Sequence, residues 1–310
     1  MQNNSQNDNQ YDDEINLREL FSVLWAGRLQ IIAITAVFAF ASVIYALSVP
    51  NQYKAVTVLA PAQSDNSDLK GTLSQMSGLA SLAGVSVDTR SSEVKTAQEI
   101  MQSWSFIEGF IAENNIALEV YAAEEWSRGS NELQFDDSLY DTETKTWLIK
   151  NDNTGELGPP TSWTLFESFS EILAVSADKK TGLVTVSIEY YSPQIAKQWL
   201  DMYVAAINAH MQQRQMAKVT NNINYLEAQI NKTSIAQMRE IFYNIIEEQT
   251  KNKMLAEASP DYVFVTVSPS MVPEVKSQPT RYIICILGTL LGGMLSVLLV
   301  LVMHYAKKSD

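Results

Sequence analysis

Two apolar stretches near the ends of the chain constrain it more than anything between them. The first, Ile31–Val49, reads IIAITAVFAFASVIYALSV, and the second, Tyr282–Met303, reads YIICILGTLLGGMLSVLLVLVM; neither contains a charge. A helix rising about 1.5 Å per residue needs roughly 20 residues to cross a hydrocarbon layer of about 30 Å. Each stretch therefore fits one membrane crossing, expected at 30–49 and at 282–304. A buried core helix is the poorer reading of runs this long at both ends. Ala46-Leu47-Ser48 loosely resembles a signal-peptide cleavage site. Yet the run exceeds a usual signal core, and its leader, NNSQNDNQYDDE, is acidic rather than basic.

Orientation follows the lysines and arginines beside the spans. Arg18 and Arg28 precede the first, and Lys307 and Lys308 follow the second; Lys54, Lys276 and Arg281 lie on the other side. The bias is modest, and a long intervening domain crosses largely regardless of charge. The expectation is cytoplasmic tails at 1–29 and 305–310 and a large domain outside the inner membrane. Trp25, Tyr45, Tyr282 and Tyr305 sit near the span ends. They read equally as interfacial anchors and as packing residues.

Chemistry has little to work with. The net charge is −13, which argues against a nucleic-acid partner. Cys285 is the single cysteine, inside the second span, and the two histidines, His210 and His304, are far apart. An intramolecular disulfide is excluded, and neither a thiolate metal site nor any cofactor is expected. The adjacent carboxylates Glu124-Glu125, Asp136-Asp137 and Glu247-Glu248 read as solvated faces, because neighbours do not converge on one bond. No catalytic residue is expected, and the chain is read as no enzyme.

Between the spans the pattern is mixed. DDEINLRELFSVLWAG spaces Ile15, Leu17, Leu20, Phe21 and Leu24 as an amphipathic helix or as an extension of the first span. QYKAVTVLAP reads as a strand, 62–92 as a loop with the small-residue patch SGLASLAG, and 93–125 as helix broken near Asn114-Asn115. Residues 126–162 are turn-rich. ILAVSAD and LVTVSIEYY flank KKTG as a hairpin, and YVFVTV at 262–267 is a third strand. The base of the domain is thus expected over 50–192.

From Gln194 to Ser259 there is neither proline nor glycine, and Ser192-Pro193 is a good helix start. Val219, Ile223, Leu226 and Ile230 make one narrow seam, and Ile235, Met238, Phe242 and Ile245 make another. The step of five between them breaks the phase, and Ser234-x-x-Gln237 has the pattern of a capping box. The expectation over 193–259 is a helical hairpin with its tip near 231–234. One unbroken helix would carry YVFVTV too far from the sheet it must rejoin.

Residues 260–281 return the chain to the membrane. Pro269, Pro273 and Pro279 punctuate this segment. Proline fixes φ and restricts its predecessor, so the segment is expected to be extended and semi-rigid, holding the domain at a set distance from the bilayer. In the second span Gly288 and Gly292 form G-x-x-x-G, with Gly293 adjacent. Small residues at this spacing let membrane helices approach closely. The fold class is therefore α+β: two terminal transmembrane helices flank an α/β base that carries a long helical hairpin.

The assembled residues resemble the Wzz family of polysaccharide co-polymerases. EINLRELFSVLWAGRLQI is similar to the family's amino-terminal signature, and NQYKAVTVLAP looks like its first strand. TGLVTVSIEYYSPQIAKQWLDMYVAAIN resembles its junction of strand and long helix. YVFVTVSPSMVPEVKSQPTR followed by GTLLGG resembles its proline-rich segment and second span. The resemblance implies a periplasmic base, ring-like homo-oligomers, and control of the chain length of a surface polysaccharide, O-antigen or exopolysaccharide. It implies work beside a membrane polymerase and near a lipid-linked glycan. Some relatives carry a tyrosine kinase; about seven residues follow the second span here and no phosphate loop occurs. The kinase-free class is expected, the alternative being an adaptor that activates a separately encoded kinase.

Overall fold

The computed structural model describes residues 17–62, 89–150 and 155–309. The polar leader before Leu17 and the SGLASLAG patch lie outside the described residues. In chain order the elements are α1 (Leu17–Ala26), α2 (Arg28–Ser48), β1 (Tyr53–Pro61), α3 (Thr89–Met101), α4 (Trp104–Asn114) and α5 (Ala117–Ala122). Six short strands and a helix follow: β2 (Ala123–Ser127), β3 (Glu132–Phe135), β4 (Tyr140–Asp141), β5 (Thr146–Trp147), β6 (Ile149–Lys150), β7 (Leu157–Gly158) and α6 (Ser162–Ile172). The chain ends with β8 (Leu173–Ala177), β9 (Val184–Tyr190), α7 (Pro193–Lys232), α8 (Ala236–Glu257), β10 (Phe264–Ser268) and α9 (Arg281–Ser309). It divides into two compact units, 1–50 with 278–310, and 51–277. Residues 260–281, expected as one segment, are divided between them after Ser277.

The first unit pairs the apolar helices. α2 and Arg281–His304 of α9 are long and apolar enough to cross a membrane. α1 ends at Ala26, and Gly27, with a φ of −85° and a ψ of 4°, separates it from α2. The amino-terminal amphipathic segment is therefore a helix of its own rather than a continuous extension of the span.

The second unit is built on an antiparallel sheet in the order β10-β1-β9-β8. Alternation fixes its register. Tyr53, Ala55, Thr57 and Leu59 of β1 lie opposite Tyr190, Ile188, Val186 and Val184 of β9, and all eight are buried. A slip of one residue would turn both sets outward. The β8–β9 turn holds itself together: Asp178 accepts from the Lys180 amide and the Thr181 hydroxyl, while Gly182 takes a φ of 72° that a side chain would oppose.

α7 lies across the inward face. Ser192 caps it by accepting from the Ile195 amide, and Pro193 opens the first turn. Its residues Ala196, Leu200, Tyr203, Val204, Ile207 and Met211 recur at three and four and are buried. Tyr203 is the hub: its ring meets Phe106, Phe110 and Phe169 at 5.3, 4.9 and 5.6 Å. Its hydroxyl donates to the Met101 carbonyl. Tyr190 packs on Trp199 at 4.5 Å and donates to the Glu119 carbonyl. Each such aromatic contributes about 1.5–3 kcal/mol by burial.

Three expectations change in detail. The stretch 93–125 breaks at Asn115, which takes the left-handed conformation. It also breaks at Ser103, and its end, Ala123–Ser127, is a strand paired with Glu132–Phe135. The hairpin tip is the non-helical 233–235, which overlaps the expected turn near 231–234 and runs one residue past it. Ile235, not Ser234, occupies the cap position of α8, with no side-chain cap. The capping box does not form because the helix begins one residue too late for it.

Candidate functional site

Among the described residues no group of three or more His, Cys, Asp or Glu side chains could hold a metal ion. The return segment and the pair of apolar helices carry the sequence-predicted residues. After β10 the return segment runs without helix or strand except for an isolated bridge at Gln278, and it bends at Glu274–Val275. Pro269 is exposed, whereas Pro273 and Pro279 are half-buried. The expected uniform extension is thus interrupted by one bend. What holds the segment is not proline alone. The Ser270 hydroxyl donates to the Asp201 carboxylate of α7 at 2.5 Å. The Ser277 amide donates to the Gln52 carbonyl at 2.8 Å, and its hydroxyl donates to Glu189 at 2.5 Å. The prolines limit the conformations available, and the two serines fix the ends of the stretch between them. Sequence reasoning missed Ser270 and Ser277, because lone serines between prolines leave no periodic signal.

The helix pair belongs to the first unit. A Cβ on Gly288 would stand 2.4 Å from the Cβ of Ser42, and one on Gly292 would stand 2.4 Å from the Cβ of Phe38. Neither distance is sterically possible without the helices moving apart. Gly293 is different: its Cβ would meet only the Thr35 hydroxyl at 4.0 Å, ordinary contact. The stripe on α9 also continues beyond the glycines. Ser296, four residues past Gly292, is fully buried and its hydroxyl lies 3.3 Å from that of Thr35. Because Ser296 donates to the Gly293 carbonyl at 2.7 Å, the Thr35 hydroxyl is the donor of that pair. Val300 closes against Gly27, where an added Cβ would come within 2.5 Å of its methyl.

The contacts 27 with 300, 35 with 296, 38 with 292 and 42 with 288 describe one antiparallel seam. Glycine supplies close approach and hydroxyls bond across or back to their own helix, the two devices membrane helices use where lipid offers no hydrophobic drive. The counterpart residues Thr35, Ser42 and the buried Ala46 on α2 were not singled out by sequence. Their steps of seven and four were the available signal.

The first arm of the hairpin turns its expected seam inward, and the second arm turns a different one. On α7, Val219 is buried, and Ile223, Leu226 and Ile230 are half-buried. On α8 the inward residues are Phe242, Ile246, Gln249, Lys253 and Ala256, while Ile235, Met238 and Ile245 are exposed. Of the expected second seam only Phe242 faces inward. The stripe follows the step of four and three that ends on Ala256, which must tuck against the base.

Residues 13–114 match a family model, Wzz, described as chain length determinant protein. The matched stretch takes in α1, α2, β1, α3 and α4. No curated protein matches the chain. Among solved structures, a full-length bacterial polysaccharide co-polymerase is 14% identical, with 95% of this chain and 99% of that one covered and a TM-score of 0.38. A fragment of WzzB, a polysaccharide co-polymerase from Salmonella Typhimurium, is 9% identical, covering 74% of this chain and 100% of that one at a TM-score of 0.29. A point mutant of the Shigella flexneri lipopolysaccharide O-antigen chain-length regulator WzzBSF is 10% identical, covering 73% and 100% at a TM-score of 0.20.

Proposed function

We propose that this chain, whose residues 13–114 match the Wzz family of chain length determinants, holds a surface polysaccharide to a set length while a separate membrane polymerase extends it. The family match is the observation that carries this reading. The two apolar helices at the chain ends fit a protein that meets a lipid-linked glycan at the inner membrane, with both tails cytoplasmic and the larger unit in the periplasm. The role is that of a non-enzymatic scaffold, O-antigen or exopolysaccharide being the polymer. Copies assemble as a ring, which would cover the apolar residues that a single hairpin leaves exposed.

Two parts of the chain have assigned tasks in this reading. Pro269, Pro273 and Pro279, with Ser270 and Ser277, position the larger unit relative to the membrane helix. Gly288 and Gly292 let α9 close on α2, whereas Gly293, where an added Cβ would make only ordinary contact, lies beside that approach. Deletion and complementation test the function, with the surface polysaccharide resolved on a gel. Loss of a modal length with polymerisation retained is the expected result. Complete loss of polymer would instead place the chain in export or in the polymerase itself. Replacing the three prolines by alanine is expected to alter the length distribution with the protein still in the membrane; an unaltered distribution at normal levels would reduce the segment to a plain linker. Gly288→Leu with Gly292→Leu is expected to weaken oligomer recovery and length control together.

A further inference from the structure

One face of α7 carries three polar side chains that do not belong to its apolar stripe. Asn208 is 3% exposed, and both ends of its side-chain amide are hydrogen-bonded. Its Oδ1 accepts from the amides of Val263 and Phe264 at 3.1 and 2.9 Å, and its Nδ2 donates to the Phe264 carbonyl at 2.9 Å. It thereby offers Phe264 the donor and acceptor that the peptide group of a neighbouring strand would offer. One turn outward, Gln212 donates from Nε2 to the carbonyls of Ala256 and Ser259 at 2.8 and 3.1 Å. These close the last turn of α8, where carbonyls run out of helical partners. Two turns inward from Asn208, Asp201 accepts from Ser270 and is itself held by Lys197 at 2.6 Å.

Positions 201, 208 and 212 are separated by seven and four, so they share one helix face. They meet the returning chain in order, at 270, at 263–264 and at 256–259. Apolar packing tolerates sliding by a fraction of a residue; a side-chain amide bonded to both groups of one peptide residue does not. A slip of one residue would also shift Val263 and Phe264, both buried, out of the packing sites their side chains fill.

We propose that Asn208, supported by Gln212 and Asp201, is a positioning latch that sets the register of the returning arm against the outgoing one, and that this register determines polysaccharide length. The second half rests on the function proposed above. The latch acts through the return segment: whatever register Asn208 imposes at Phe264 is the register with which the chain enters Pro269–Pro279.

The experiment uses the full chain in the membrane and in detergent. In Asn208→Ala the amides of Val263 and Phe264 should exchange hydrogen roughly tenfold faster, with β1 and β9 amides unchanged. The modal polysaccharide length should shift or broaden at wild-type protein level. Gln212→Glu, which loses the donor at nearly constant size, should act in the same direction and keeps the test alive where Asn208→Ala fails to accumulate. Met211→Ala truncates a buried residue of the same helix outside the latch and should leave the length distribution alone. Unchanged exchange at 263–264 would overturn the latch itself. Faster exchange with an unaltered length, or an equal length change in Met211→Ala, would overturn its role in specificity. A deletion strain with unaltered polysaccharide would sink the function, while the exchange result would still judge the latch.

Discussion

The two halves of α7 are one helix in two environments. From Pro193 to Met211 its buried positions form a continuous stripe against the sheet and the small helices, and Val219 is the last buried position on the helix. Beyond Val219 none of its residues is fully buried, and Tyr225 is 64% exposed. The same contrast runs through α8, where Ile241 is 51% and Tyr243 59% exposed and Ala256, back at the base, is buried. The inner half folds because the chain itself supplies both sides of a core. The outer half has only its partner arm, and a pair of helices offers each arm one narrow seam. In the proposed assembly, another copy would cover the apolar side chains that this pair of helices turns outward.

The contrast is broken most severely at the inner half. Phe169 is fully buried and touches Phe110, Trp199 and Tyr203. Phe169→Ala should cost about 3–5 kcal/mol, the transfer loss plus a cavity that the surrounding rings cannot collapse into. Thermal unfolding followed by near-ultraviolet circular dichroism measures it. A loss under about 1 kcal/mol would mean that the inner half is held from outside as the outer half is.

Alkaline titration sharpens the same contrast less drastically. Burial pushes the Tyr190 and Tyr203 hydroxyls well above the ordinary tyrosine range, aided at Tyr190 by the charge of Glu119. Burial, with the charge of Glu93, pushes Tyr262 up to about 12. The unfolded chain releases these protons near about pH 10, while the folded base retains them. Stability is therefore intact below about pH 10 and falls as pH climbs through the folded values. Tyr262→Phe should flatten the part of that decline between about 10 and 12. An unfolding curve of the variant parallel to the wild type across this window would contradict it.

Particular residues show why part of this was legible in sequence. Val184, Val186, Ile188 and Tyr190 alternate because one face of β9 meets α7, and Ser192-Pro193 marks a helix start whatever lies around it. The misjudged pieces are those where tertiary pairing decides. Ala123–Ser127 contains Ala-Glu-Glu, a good helix sequence, yet it pairs with Glu132–Phe135 and becomes strand. Two apolar stripes compete on α8, one through Met238 and Ile245, the other through Phe242 and Ile246. Composition does not choose between them; the contact of Gln212 with the carbonyl of Ala256 does. Asn208, Ser270 and Ser277 bond to backbone or carboxylates far away in sequence, and such bonds have no period to read. In the membrane pair the glycines of α9 stood out, but the hydroxyls of α2 that face them were hidden in an apolar run.

The smallest effect on the single chain tests the outer half most directly. Ile241→Ser removes an apolar side chain already half in water, so unfolding of the isolated protomer should move by no more than about 0.5 kcal/mol. If another copy covers this face, the same change strips buried area from each contact around the assembly, and the losses repeat at every interface. Sedimentation of the detergent-solubilised protein should then show smaller species for Ile241→Ser than for wild type, with the base as stable as before. Equal sedimentation with equal stability would mean that the face stays open to solvent, and that the outer half of the helix stands without a partner.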